Sequence, residues 1–207
     1  MKNDCSFDSE DESIDTESET IITIEEKPKQ HVENMPIIKS IFIILSTILE
    51  QNKKLPNYKE LLKKQSNICF NSYSTPNISL YEYLNRIQKY SLIEKNTFIS
   101  ALVYIDRFCK KSKIMLTYYN IYRVIFAAIL ISIKFNEDKF FDYEYYSKIA
   151  GIKKAELKKI ELNFFCMCDF NIFISEDTFE KYSKCLKSTY EKRHNNKSNS
   201  NSKNIDI

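Results

Sequence analysis

The chain has 207 residues with one glycine, four prolines and no tryptophan, and so little glycine argues against a strand-rich fold with many tight turns. Its formal net charge of +3 conceals a split: residues 1–35 carry eleven acidic against three basic side chains, and the remainder 28 basic against 17 acidic. The start lacks a basic stretch followed by an apolar run, so no secretory signal is expected, and the six cysteines and two histidines form no zinc spacing.

Residues 1–34 read as an acidic, Ser/Thr-rich, disordered tail with one short apolar patch, Ile21 to Ile24. Ser9 with Glu12 and Thr16 with Glu19 fit an acid-directed kinase, and phosphorylation there deepens a charge already negative. Two roles stay open for this tail: a solubilising extension, or a segment that folds back on the basic remainder. The folded part is expected at 35–190, followed by an Asn/Ser/Lys-rich disordered end at 191–207.

Pro36 suits the first turn of a helix running from Ile37 to Lys54. Residues 55–78 are mixed, with one brief helix around Tyr58, Leu61 and Leu62. Ser79 and Glu82 make a capping-box signature for a helix reaching about Tyr90, with Tyr83, Leu84 and Ile87 inward. Phe98, Ala101, Leu102, Ile105 and Phe108 recur at three- and four-residue steps and predict a helix over Glu94 to Lys110.

The stretch from Leu116 to Phe135 is the most apolar of the chain. It is too short and interrupted to span a bilayer and too long for one strand, so it predicts a helix buried on nearly every side. Ala127 and Ala128 at its middle allow close helix neighbours. Asp142 is the expected N-cap of a short helix ending at Gly151, whose position needs positive φ. Lys153 to Cys168 follows, with Leu157, Ile160 and Phe164 inward, then a helix from Ser175 to about Lys187 with Phe179 and Tyr182 inward. The fold class expected is all-α: five close helices over about 79–168, the third buried, with helices flanking both ends.

Several segments in this order carry a resemblance. They are Tyr83-Leu84-Asn85-Arg86-Ile87-Gln88-Lys89-Tyr90, Ala101-Leu102-Val103-Tyr104-Ile105-Asp106-Arg107, Asn120-Ile121-Tyr122-Arg123, Lys134-Phe135-Asn136-Glu137-Asp138, Ala150-Gly151-Ile152, and Glu156-Leu157 to Glu161-Leu162. Over about residues 37–185 the chain resembles the cyclin box, most closely that of single-box P/U-type cyclins related to the yeast phosphate-pathway cyclin. The resemblance implies a regulatory subunit that binds and activates a cyclin-dependent protein kinase, in the cytoplasm, the nucleus or both. It implies kinase contacts from Lys134, as donor, and Glu161, as acceptor. An apolar groove of Ile131, Phe135, Phe165, Phe170 and Ile172 would complete that face. It also implies an internal ion pair between Arg86 and Asp106. From the residues alone, Lys134 and Glu161 read as a solvated pair at helix ends, and Phe164 is a better core residue than Phe165.

Asn85 and Lys89 are polar where substrate-recruiting cyclins carry an apolar patch, so that docking mode is not expected. Tyr122 stands where relatives often have histidine and keeps an aromatic body with a polar tip. The residues after Cys168 are too few for a second box. Outside the resemblance, no Ser/His/Asp set, phosphate loop or metal cluster falls in the folded part, so neither an enzyme nor a cofactor is expected. The lysines are dispersed, so nucleic acid is not the expected partner, and no membrane association is expected. The competing reading is a scaffold or transcription-factor-like box without a kinase.

Overall fold

The structure, a computed structural model, describes residues 28–66 and 68–201, with side chains described over 35–66 and 68–193. The acidic stretch before residue 28, with Ser9, Thr16 and Ile21 to Ile24, lies outside the described residues. Eight helices make up the described chain: α1 (Pro28–Lys53), α2 (Tyr58–Lys64), α3 (Leu80–Ser91), α4 (Lys95–Ser112), α5 (Ile121–Asn136), α6 (Tyr143–Ala150), α7 (Lys154–Met167) and α8 (Glu176–Asn201). The fold is all-α, a cyclin-box-like helix bundle over α3–α7 with helices on either side.

α5 is the axis. Val124 to Ile133 are all buried, and α4, α6 and α7 pack against the helix. The helix begins five residues later than the apolar run, because Asn120 builds a turn first. Its side chain accepts from the Thr117 amide at 2.8 Å and donates to the Met115 carbonyl at 3.0 Å, so a fully buried amide is satisfied on both ends. Around this axis the expected caps are present. Ser79 and Glu82 close a reciprocal capping box on α3, Asp142 accepts from the Tyr145 amide at 2.8 Å, and Gly151 takes φ 72° at the end of α6.

α1 lies across α3, α4 and α8. Its inner face is Ile38, Ile41, Leu45 and Leu49, all buried at steps of three and four. The buried Ser40 hydroxyl lies 2.8 Å from the Leu186 carbonyl and ties this helix to α8. Two further boundaries differ from the sequence expectation. α1 starts at Pro28 and carries Pro36 inside it, and α8 continues to Asn201 through residues expected to be disordered. Packing of the apolar face carries α1 past its proline, and the polar end of α8 contains neither glycine nor proline to stop it.

The loop after α2 supplies a core residue that periodicity does not reveal. Phe70 is fully buried, with its ring 5.1 Å from Phe108, which itself stacks on Phe164 at 4.6 Å. This aromatic trio joins the loop, α4 and α7. Tyr122 packs its ring 5.1 Å from Tyr83 and donates to the Ile78 carbonyl at 2.8 Å, so it serves as a structural aromatic with a satisfied tip. Burial pushes the Cys109 thiol up to about 12 and the Cys168 thiol up to about 11. Both are therefore protonated at neutral pH and act as packing groups.

Candidate functional site

The last turn of α5 and the second half of α7 end side by side and share one face. On α5, Ile131 and Phe135 are one turn apart, with Lys134 between them. On α7, Glu161, Leu162 and Phe165 have the same helical spacing. Together with Tyr143, Lys158 and Ile172 they line a groove of about 560 Å³. Phe164 turns into the core at 1% exposure while Phe165 turns toward the groove.

The groove and its rim expose more apolar surface than folding alone explains. Phe135 is 56% exposed, Phe170 58%, Leu162 60% and Phe173 74%. Large apolar side chains clustered in this way mark an interaction surface. Leu162 and Phe173 were not among the expected contact residues. The signal for Leu162 is available in the sequence, since it follows Glu161 on α7 and lies off the inner stripe of Leu157, Ile160 and Phe164.

A polar cluster sits on the wall of this groove. Lys134 Nζ lies 2.7 Å from Glu161 Oε1 and donates to the Tyr143 hydroxyl at 2.6 Å. That hydroxyl in turn donates to Glu161 Oε2 at 2.5 Å. Desolvation pulls the Lys134 ammonium down, but the hydrogen bonds with Glu161 and Tyr143 together outweigh it, and its pKa lies above the ordinary lysine value. The ammonium is thus fully charged at neutral pH. The neighbouring Glu137 carboxylate accepts from the Glu94 amide at 3.0 Å and from Thr97 Oγ1 at 2.6 Å. It caps α4 from outside and fixes the chain where it leaves α5.

The far wall is built by the α7–α8 connection. α7 ends in a Schellman motif: the Asp169 amide donates to the Cys166 carbonyl at 2.9 Å, and the Phe170 amide to the Phe165 carbonyl at 3.1 Å. Asp169 takes the left-handed position usually given to glycine, φ 54°, and Phe170 follows at φ 55°. Lys111 holds the Asp169 carboxylate at 2.6 Å. α4 then anchors the next residues. The Tyr104 hydroxyl donates to the Ile172 carbonyl at 2.8 Å, and Arg107 donates to the carbonyls of Asn171 and Phe173, the latter at 3.0 Å. Ile172 is thereby presented to the groove, and Phe173 to solvent.

The expected Arg86–Asp106 pair does not form. Arg86 donates to the Lys148 carbonyl at the end of α6, 2.5 Å away. Asp106 accepts from Lys110 one turn on and from the Tyr182 hydroxyl of α8, each at 2.6 Å. Each charge has found a nearer partner, and Asp106, 38% exposed, needs no buried counter-ion. The ion pair that links helices on this side is Arg123 of α5 with Glu156 of α7, at 2.6 Å. At the two polar positions on α3 where no docking patch is expected, Asn85 is half-buried and Lys89 is exposed beside the Tyr90 ring.

Among the described residues no group of three or more His, Cys, Asp or Glu side chains is arranged to hold a metal ion, and no helix is long and apolar enough to cross a membrane. The face just described combines exposed apolar side chains with a fixed charged cluster.

The Cyclin family profile matches residues 8–172. The chain belongs to the cyclin family. It is related at moderate identity to plant P- and U-type and to PHO85-type cyclins. It is 26% identical to Cyclin-P3-1 of Oryza sativa subsp. japonica over 165 residues, covering 80% of this chain and 68% of the relative. It is 31% identical to Cyclin-U4-3 of Arabidopsis thaliana over 147 residues, covering 70% and 66%. It is 27% identical to PHO85 cyclin-7 of Saccharomyces cerevisiae over 202 residues, covering 84% and 71%. The cyclin match takes in α3 to α7 and the connection that carries Phe170 and Ile172.

Proposed function

We propose that this cyclin-family chain is the regulatory subunit of a cyclin-dependent protein kinase, of the single-box P/U or phosphate-pathway type. The observation that carries the reading is the exposed apolar face at the ends of α5 and α7, with Lys134 and Glu161 fixed on its wall. The groove receives the kinase's mobile regulatory helix, and Ile131, Phe135, Phe165, Phe170 and Ile172 bury apolar side chains against it. Lys134 donates to backbone carbonyls beside that helix and Glu161 accepts from backbone amides. The chain does no chemistry. It binds the active arrangement of the kinase more tightly than the inactive one and so shifts the population toward it, letting the kinase's own lysine–glutamate pair form. On this reading the complex works in the cytoplasm, the nucleus or both, and needs neither nucleic acid nor membrane. With Asn85 and Lys89 polar, substrates reach it by a route other than an apolar patch on α3.

The test is co-purification followed by reconstitution. A tagged chain should recover a cyclin-dependent kinase from its native extract, and adding the purified chain to that kinase should raise its activity at least tenfold. Recovery without activation, or no kinase at all, contradicts the reading. Phe135→Glu, which places a charge at an exposed position of the groove, should keep the fold and abolish recovery.

A further inference from the structure

Resting on the regulatory-subunit reading, we propose that Tyr143 is a positioning residue for the kinase-facing pair, holding Lys134 and Glu161 as one closed cluster before the partner arrives. The motif reading treats the lysine and the glutamate as two separate contacts. The geometry joins them through a third group. The Tyr143 hydroxyl donates to Glu161 Oε2 at 2.5 Å and accepts from Lys134 at 2.6 Å, while the ammonium also reaches Glu161 Oε1 at 2.7 Å. Both carboxylate oxygens are engaged, and the ring of three bonds leaves neither side chain free to turn away.

Tyr143 is itself aimed. It is the first residue of α6, next to Asp142, whose carboxylate accepts from the Tyr145 amide at 2.8 Å and fixes where the helix starts. Two ammonium groups approach its ring, Lys134 at 4.2 Å and Lys158 at 5.1 Å from the centroid, and the residue forms part of the groove wall. The phenol's position is therefore set from α6, α5 and α7 together.

The cluster closes without exhausting its valences. Lys134 uses two of its three N–H donors here, and each carboxylate oxygen keeps a second lone pair. The remaining donor and acceptor sites are available to a partner's backbone while the internal bonds persist. A lysine stem otherwise samples many rotamers, and freezing it on docking opposes binding. Tyr143 removes that opposition in advance. It acts through Lys134 and Glu161 rather than in their place.

The experiment uses the full chain and the cyclin-dependent kinase that co-purifies with it, prepared separately. Tyr143→Phe keeps the ring and removes the hydroxyl. Its Kd for the kinase should rise about five- to tenfold, the size expected for one hydroxyl's hydrogen bonding. In a Lys134→Met background the same substitution should cost a smaller fold-change in Kd, because one of the two groups it positions is gone. An Nζ titration of Lys134 by NMR should show the ammonium of the free Tyr143→Phe chain losing its proton at lower pH than in wild type. Equal Kd for wild type and Tyr143→Phe, or the same fold-loss in both backgrounds, overturns the proposal. A wild-type chain that binds no such kinase overturns the regulatory reading beneath it, an outcome distinct from equal binding by both forms.

Discussion

Phe170 stands in left-handed backbone, φ 55°, with its ring 58% exposed. An L-residue there costs about 1–2 kcal/mol, and a bulky one is an outlier that calls for a reason. Folding supplies only a partial reason, an edge-to-face contact with Phe165 at 4.9 Å, worth about 0.5–1.5 kcal/mol. Phe170→Gly relieves the backbone and loses the ring contact. Stability in a urea titration should therefore stay within about 1 kcal/mol of wild type, while kinase affinity falls at least tenfold. A loss near 3 kcal/mol would mean that Phe170 is a core residue instead. Charge at the residue scale is where the sequence misled. Arg86 and Asp106 carry the right types for an ion pair, but pairing depends on side-chain direction, which residue type does not encode. A backbone carbonyl took Arg86, and Lys110 and Tyr182 took Asp106.

The helices were the most legible elements. The stripes of α3, α4 and α7 are buried at the positions their spacing predicts, and the caps at Ser79, Asp142 and Gly151 all form. These features are local, so a single sequence displays them. Two kinds of feature were not legible. Phe70 reaches the core from an irregular loop with no period to betray it, and the α7–α8 connection is shaped by a distant helix. Tyr104 and Arg107 occupy α4, more than sixty residues before the carbonyls they hold. Lys134, Phe135, Glu161 and Phe165 could be placed together from helical spacing and a family resemblance. The bridging phenol of Tyr143 depends on how α6 meets α5 and α7 and was missed. Arg107→Ala tests the anchoring. Hydrogen exchange should rise over 171–173 while α4 and α5 keep their protection, and kinase affinity should fall about tenfold as Ile172 loses its fixed place. Unchanged exchange in that connection would show that the Schellman turn and the Asp169–Lys111 pair suffice.

At the scale of the whole molecule, the fold spends its most apolar helix on an axis and leaves apolar side chains uncovered at one end of it. Val124 to Ile133 are buried, yet Phe135, two residues on, is 56% exposed. A bound partner would remove that surface from water, and full burial of such a side chain is worth about 1.5–3 kcal/mol. The fixed charges beside it add orientation, since inverted polarity at an interface costs affinity even when the apolar fit is kept. The most direct test of the docking face exchanges the two charges, Lys134→Glu with Glu161→Lys. The exchanged pair can still bond internally across the Tyr143 hydroxyl, so the chain should fold and melt close to wild type. To a partner it offers an acceptor where a donor stood and a donor where an acceptor stood. Wild type should recover a cyclin-dependent kinase from native extract and the folded exchanged form should recover none. Equal recovery by the two would contradict this docking face.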